Sequence, residues 1–555
     1  MLEEVEVRMS SRDRWYENAI VYCLDVETYA DANGDGIGDF TGLMHRLDYL
    51  SGLGITCLWL MPFYPTPGGD DGYDVADYAA VDPRLGTMAD FAEFVAEAGE
   101  RGIHVIVDLV PNHTSNTHPW FQAARQDAAS PYRNYYVWRS DDPGDTSDRV
   151  VFPGEQDGIW SYDDGAGAWY LHHFYPFQPD LNFANPAVRE EFRKIIGLWL
   201  QLGVAGFRVD AAPFLIDLTG IDGVNQLDPA HEFLRELRDV AIHRRGNAVL
   251  IGEVDTQVST IADYFGGGNE LHVLFNFPLN RYLFLGLAQE SADPIAFGLR
   301  QLPTIPDTGQ WLNFLRHHDE LNLSQLTRDQ REQVYAAFGP TPDLQIYGRG
   351  LRRRLAPMLD GEQPRIRLAY SLLFSVPGAP MLFYGEEIGM GENLDLPGRL
   401  SVRAPMPWTP FANGGFSTAP TAQLVRPLLA TGPFGFAQVN VAAQRSDRDS
   451  LLNWMSALIR TRRECSEIGG GAVTILDTGC DAVLGLRYEA DSGAIVVLNN
   501  LSRHRQTVTL NLSEHEATAA IELFCDRQYP TLDPRQPRIR MNGWGYRWLR
   551  LGSAG

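Results

Sequence analysis

Three carboxylates in this chain stand where short apolar runs end. Asp210 follows one in "GFRVDAAP" (206–213), Glu253 lies in "GEVD" (252–255) and Asp319 in "RHHDE" (316–320). Nitrogen-bearing side chains keep them company. Arg208 stands two residues before Asp210, His317 and His318 just before Asp319, and His113 at the end of "DLVPNH" (108–113). A single such aspartate is as readily a structural ion pair or a capped strand end. Three of them, with Asp108 and Asn112 at a further run end, suit the breaking of a glycosidic bond. That reaction needs one carboxylate ionised, to attack or steady a sugar cation, and another that holds a proton near neutral pH. Arg208 and Asp210 are i and i+2, so they share one side of a strand. The guanidinium is expected to depress the aspartate's pKa and keep it ionised.

These residues can meet only if the runs that carry them lie side by side. "GITCLWLMP" from Gly54, "GIHVIVDLVPNH" from Gly102 and "GVAGFRVDAAP" from Gly203 repeat one pattern, a glycine and then a short apolar run. Helical spacing precedes them. Met88, Phe91, Phe94, Val95 and Ala98 recur ahead of Gly102, with Thr87 as a cap, and Val188, Phe192, Ile195, Ile196 and Trp199 ahead of Gly203. The glycine suits a helix C′ position, where a left-handed conformation is cheap. Runs without alternation read as strands buried on both faces, hence as parallel strands covered by helices. "AIVYCLDV" from Ala19, "AVLIGEV" from Ala248, "HVLFNF" from His272, "WLNFLRHHDE" from Trp311 and "APMLFYGEEIG" from Ala379 bring the strands to eight. That is the count of a (β/α)₈ TIM barrel, whose strand C-terminal ends form one functional rim. The charged residues gather at those ends.

Two regions break the rhythm. Residues 111–180 are rich in Trp, Tyr, Asp, Gly and Pro and too long for a plain loop. They are expected to form a subdomain inserted after the third strand. From 469 onward, "AVTILDT", "AVLGLRYEA", "AIVVLNN", "QTVTLNL" and "YRWLRL" are spaced by turn residues. They predict a C-terminal antiparallel β domain, a sandwich, over 469–555. The catalytic barrel would then occupy 1–110 and 181–468, with Leu451, Leu452, Met455, Leu458 and Ile459 on its last helix.

Composition narrows the function classes. Lys and Arg number 46 against 71 Asp and Glu, for a formal charge of −25. Such a chain repels phosphate backbones and anionic membranes, so neither nucleic acid nor membrane is an expected partner. No phosphate loop or dinucleotide fingerprint is visible, so no organic cofactor is expected. The five cysteines show no CxxC spacing, the first residues are acidic without an apolar core, and no stretch spans a bilayer. A reducing, cytoplasmic location fits.

Taken together, "DLVPNH", "GFRVDAAP", "GEVD" and "RHHDE" resemble the four conserved regions of the α-amylase superfamily, the retaining α-glycoside hydrolases of glycoside hydrolase family 13. They occur in the same order and on the expected strands. The resemblance runs over nearly the whole chain. It implies that Asp210 is the nucleophile, Glu253 the general acid/base and Asp319 the stabiliser that binds sugar hydroxyls. His113, Arg208 and His318 would line the same glucose subsite, with His317 in place of a commoner asparagine. "DDGYDVADY", "QPDLNF", "LRRRLAP", "YGEEIGMGEN" and "VRAPMPW" are similar to segments of the trehalose synthase branch of that family. On that resemblance Asp70, Tyr73 and Arg403 clamp the non-reducing terminal glucose, with Phe152 and Gln178 near the same pocket. Two segments depart from the branch: "GEVD" stands for Ala-Glu-Ala-Asn, and "RAPMPW" for Arg-Thr-Pro-Met-Gln-Trp.

The implied activity is glucosyl transfer on short α-glucosides such as maltose, trehalose or sucrose, through a covalent glucosyl-enzyme. Trehalose synthase-like interconversion of maltose and trehalose, with some hydrolysis, leads. An α-glucosidase acting on maltose, sucrose or isomalto-oligosaccharides is the alternative. A non-catalytic barrel-fold binding protein is disfavoured, because such relatives usually lose one of the three carboxylates. A homo-oligomer is left open.

"DANGDGIGDF" places Asp31, Asn33, Asp35, the Ile37 carbonyl and Asp39 at the spacing of a hard-cation loop, with Gly36 at the sixth position. Calcium, or magnesium, is expected there in a structural role. An Asx-rich surface turn is the bland alternative. The resemblance implies a second structural site from Asn112, Asp180, Asp217 and the carbonyls of Phe214 and Leu215.

Overall fold

The computed structural model describes residues 14–216, 231–490, 493–512, 516, 520–533 and 538–552. All eight expected runs are strands: β1 (Val21–Leu24), β2 (Cys57–Leu60), β3 (His104–Leu109), β4 (Gly206–Val209), β5 (Val249–Gly252), β6 (Val273–Phe275), β7 (Gln310–Phe314) and β8 (Ala379–Phe383). They pair in sequence order into one closed parallel barrel, with β8 returning to β1 through Val21 opposite Met381. Residues of β1, β2, β4 and β5 are buried throughout, as strands covered on both faces must be.

The covering helices form where the apolar periodicity places them. Met88–Glu100 opens on a reciprocal capping box between Thr87 and Asp90, and buries Phe91, Phe94, Val95 and Ala98. Pro186–Gln201 buries Val188, Phe192, Ile195, Ile196 and Trp199. Leu451–Arg463 buries all five expected residues. Gly54 and Gly203, at φ 101° and 102°, take the left-handed turn that carries a helix end into the next strand. Gly206 has a different reason to be glycine. A Cβ there would stand 1.9 Å from the Val249 carbonyl oxygen, so it lets β4 lie close against β5.

Between β3 and β4 the inserted segment builds a three-stranded antiparallel sheet from Trp138–Arg139, Ala168–Leu171 and Trp160–Asp163. Its small core holds Val137, Ile159, Trp160 and Leu171. Antiparallel bridges His113–Asp180 and Tyr136–Leu181 tie it to the barrel rim. A second excursion, not foreseen from the sequence, follows β7. The short strands Leu321–Asn322, Gln345–Ile346 and Gly350–Leu351 form a small sheet that brings Tyr347 and Arg349 toward the rim.

The C-terminal domain is antiparallel, as expected, with a five-stranded and a two-stranded sheet. Val496, Leu498, Val508, Ile539 and Met541 pack between them. The five-stranded sheet docks on the helix Gln363–Ser375 through a buried polar set. Trp548 Nε1 donates to Ser371 Oγ (3.0 Å), Ser371 Oγ to Asn499 Oδ1 (2.7 Å), Asn499 Nδ2 to Ser375 Oγ (3.1 Å) and Tyr488 Oη to the Ser375 carbonyl (2.6 Å). No helix of the described residues is long and apolar enough to cross a membrane.

Candidate active site

The barrel rim is organised around one guanidinium. Asp108 on β3 and Arg208 on β4 are partners in the strand register. Arg208 Nη1 donates to Asp108 (2.5 Å) and Asp210 (2.6 Å), and Nη2 to Glu253 (2.7 Å) beyond the end of β5. Trp59 and Tyr73 flank it, ring centroids 5.1 and 5.6 Å from Cζ. Ala211, immediately after Asp210, is held at φ 49°, a strained conformation for a residue with a Cβ. That turn aims its N–H at Glu253 Oε2 (3.2 Å), so one backbone kink positions both carboxylates.

The expected depression of Asp210 by Arg208 does not occur. Burial pushes the Asp210 carboxyl up to about 7, and the neighbouring charges of Asp108 and Asp319 add to it, while Arg208 pulls down too weakly to prevail. Burial is the main cause, and Arg208, serving three carboxylates at once, offsets only part of it. Glu253 is also raised to about 7, by burial first, against Arg208 and with help from Asp210 and Asp319. The two together are set to share one proton near neutral pH, the state a double-displacement glycosidase needs.

Asp319 is treated oppositely. Burial would raise it, but Arg399, His318 and Arg403 outweigh burial and hold it well below the ordinary carboxylate range. Arg403 Nη2 and Arg399 Nη1 reach one oxygen at 2.8 and 3.1 Å, and His318 Nε2 the other at 3.2 Å. It is thereby held as an anion at neutral pH. Burial pushes His113, His317 and His318 down as well, to about 4, about 3 and well below 6.5, so they are neutral hydrogen-bonding groups.

A cavity of about 430 Å³ opens above these groups, within the usual range of small-molecule sites. Of the expected residues Asp210, Glu253, Asp319, Asp70, Tyr73, His113 and Phe152 line it. Gln178, Arg208, His318 and Arg403 sit behind them. Gln178 Nε2 donates to Asp70 (2.8 Å), Tyr73 Oη meets His318 Nε2 (2.8 Å), and Arg403 Nη1 pairs with Asp71 (2.7 Å) rather than Asp70. Sequence reading missed Arg399, Glu320, Phe277 and Asp255, which also line the cavity. Arg399 is the most telling: it pairs with Asp319 and with Glu320 (2.8 Å) and lies over the rings of Phe152 (4.6 Å) and Tyr347 (5.6 Å). Its place four residues before Arg403 was the available signal. Nothing in sequence marks Phe277, a wall residue set by tertiary packing.

The loop after Ala30 uses the expected donors. Asp31 accepts from the N–H of Gly34 (2.7 Å) and Gly36 (2.8 Å), Asn33 from Asp35, Asp35 from Ile37, and Asp39 from Ala32 and Asn33. A set of carboxylate and amide oxygens on one tightly turned loop has the right chemistry for a hard cation. The tightest groups of three acidic or imidazole side chains among the described residues lie elsewhere. One is His317, His318 and Asp319; the other is Asp25, Glu27 and Asp71, all three of which pair with the Arg426 guanidinium. At the second site Asn112 donates to Asp180 (3.1 Å), whose other oxygen meets His173, and Phe214 and Leu215 lie on the short helix Ala212–Ile216. Asp217 lies outside the described residues.

The carboxylate pair predicts a bell-shaped pH profile for kcat/KM. In the roles the family resemblance implies, Asp210 as nucleophile would be lost to protonation below about 7, and Glu253 as acid would lose its proton above about 7. Glu253→Gln should cut turnover of maltose by ~100-fold or more. It should spare kcat/KM for α-glucosyl fluoride, whose leaving group needs little protonation, and remove the alkaline limb. A persisting alkaline limb would assign the acid elsewhere.

The family model for the alpha-amylase catalytic domain matches residues 26–338 and 351–471. A trehalose synthase/amylase, TreS, of Mycobacterium tuberculosis is 40% identical over 97% of this chain and 90% of its own length. A glucan 1,6-alpha-glucosidase of Streptococcus pneumoniae is 30% identical over 90% of this chain and 94% of its own. Among solved structures, an alpha-amylase from H. orenii superposes with a TM-score of 0.79 at 27% identity, covering 96% of this chain and 99% of that one. With its barrel, its three rim carboxylates and these relatives, the chain belongs to the alpha-amylase family and is an enzyme of that family.

Proposed function

We propose that the protein is a retaining α-glucosyl enzyme of the trehalose synthase kind, interconverting maltose and trehalose with some hydrolysis. The observation that carries this reading is the convergence of Asp210, Glu253 and Asp319 on one cavity of disaccharide scale. Asp210 attacks the anomeric carbon while Glu253 gives its proton to the departing glycosidic oxygen. A β-linked glucosyl ester on Asp210 and a released glucose result. Glu253, now ionised, takes a proton from the incoming hydroxyl, which displaces Asp210 and restores the α configuration. Asp319, anionic throughout, binds sugar hydroxyls and steadies the oxocarbenium-like transition state.

The second step decides the product. If the released glucose turns within the site and attacks through its anomeric hydroxyl, trehalose forms; if water attacks, glucose does. The higher identity to a trehalose synthase than to a glucosidase supports transfer. So does the arrangement of Phe152, Tyr347 and Arg399, which brings the inserted subdomain against the barrel over the sugar. An α-glucosidase is the second reading, supported by the altered "GEVD" segment, whose Asp255 lines the cavity. An NMR time course of a maltose digest with labelled glucose added separates them. The expected result is an early trehalose signal exceeding free glucose, with little label incorporated. Glucose alone from the first time point would make hydrolase the better reading.

The donor sets support calcium or magnesium at Asp31, Asn33, Asp35, Ile37 and Asp39, and a second ion near Asn112, Asp180, Phe214, Leu215 and Asp217. When bound, the first ion would brace a single loop, the second would pin the inserted subdomain to the barrel, and neither would take part in chemistry. Asp31→Ala should lower the thermal midpoint and make it less sensitive to chelator, at unchanged kcat per folded molecule. Lost turnover at an unchanged midpoint would refute a structural role. All five cysteines are free, which supports a cytoplasmic location.

A further inference from the structure

Behind the sugar-facing side chains lies a layer that never reaches the cavity. Arg316, Arg354 and Glu386 are almost completely buried there, at 1%, 1% and 3% exposure. Arg316 donates Nε to the Arg353 carbonyl (2.7 Å) and Nη2 to the carbonyl of Asp319 (2.6 Å). Arg354 donates Nη1 to the Tyr384 carbonyl (2.7 Å) and Nε to the carbonyl of Val402 (2.9 Å), the residue before Arg403. Glu386, just past β8, accepts the Phe383 N–H on Oε2 (2.8 Å). Each arginine therefore grips the backbone of a residue, or its neighbour, whose side chain the site uses.

Three polar atoms are left over. Arg316 Nη1, Arg354 Nη2 and Glu386 Oε1 have no hydrogen-bond partner among the described residues. Arg316 bonds the carbonyl of Arg353, next to Arg354, and Arg354 lies 4.6 Å over the ring of Phe383, whose N–H Glu386 accepts, so the three groups are neighbours, yet neither arginine pairs with the carboxylate directly. A buried donor or acceptor left unpaired is costly and uncommon. Two donors and one acceptor match the valence of a single water molecule, which accepts two N–H groups and donates one O–H.

We propose that Arg316, Arg354 and Glu386 form a buried positioning node, closed by one water molecule, that holds the backbones of Asp319 and Arg403 in register with the bound glucose. The sequence motif "LRRRLAP" supplies Arg354, "RHHDE" supplies Arg316 and "YGEEIG" supplies Glu386, so three segments far apart in the chain converge on one purpose. The inference rests on the reading of Asp319 and Arg403 as glucose-binding groups. None of the three is a catalytic residue, because none touches the reacting atoms. They act through Asp319 and Arg403.

The test compares Arg354→Lys and Glu386→Ala with Asn499→Ala, a control that loosens the C-terminal sheet without touching the three groups. A small displacement of a binding group costs up to ~100-fold. Arg354→Lys and Glu386→Ala should accordingly lower kcat/KM for maltose ~10- to 100-fold. They should also weaken competitive inhibition by glucose and raise the glucose-to-trehalose product ratio. Asn499→Ala should lower the thermal midpoint alone. Folded Arg354→Lys and Glu386→Ala proteins with product ratio and glucose inhibition like the wild type would overturn the proposal. A crystal structure of the unmodified enzyme needs no variant to fold. It should show one ordered water within hydrogen-bonding distance of the three atoms, and a direct Glu386–arginine contact in its place would overturn the proposal. If Asp319→Asn itself left kcat/KM unchanged, the glucose-binding reading would fail instead.

Discussion

One guanidinium carries the site. Arg208 is bonded to Asp108, Asp210 and Glu253 within 2.7 Å, in a place where almost no water reaches it. A buried positive charge with three anionic partners cannot neutralise all of them. The excess negative charge has to be relieved by a proton, and the proton is what general acid catalysis requires. The same pairing explains why the barrel matters. β3, β4 and β5 are adjacent, so a residue at the end of each comes within reach of one side chain. A slip in the register of β4 would point Arg208 and Asp210 to the opposite face.

The site divides its carboxylates by the number of cations each receives. Asp319 is bonded by two arginines and a neutral histidine and stays ionised. Asp210 and Glu253 compete for one arginine and rise toward neutrality. Two roles are therefore set by environment rather than by residue type, since Asp210 and Asp319 are the same residue with opposite shifts. Further alternating charges run outward from Asp319, through Arg403 to Asp71 and Arg426, and through Arg399 to Glu320 and Arg349. Such pairs hold geometry more than they add stability, because removing charges from water consumes most of what their attraction returns.

The barrel was legible from sequence because its signals are local. A buried parallel strand is a short unbroken apolar run, and a helix end before it is marked by glycine, so all eight strands and their order could be read without a contact. The three carboxylates were legible for a related reason: strand ends are where the fold collects chemistry. What could not be read is set by tertiary packing. The pKa of Asp210 depends on Arg208 being shared, and nothing in "GFRVDAAP" shows that Asp108 and Glu253 also claim it. Arg399 reaches the cavity only because a loop after β8 folds back over Phe152 and Tyr347, two aromatic residues from two other excursions. The small sheet after β7 escaped because its strands are two residues long and leave no periodicity.

On the proposed mechanism Asp210, although raised toward neutrality by its surroundings, supplies the oxygen that bonds to the anomeric carbon. The most direct measurement is to trap that bond. A fluorinated α-glucosyl fluoride that forms the ester quickly and releases it slowly should inactivate the enzyme. Protease digestion and mass spectrometry should then find one fluoroglucosyl unit on the peptide containing Asp210, and none after Asp210→Asn. A label on Glu253 or Asp319, or inactivation of the Asp210→Asn variant with the same mass added, would contradict it.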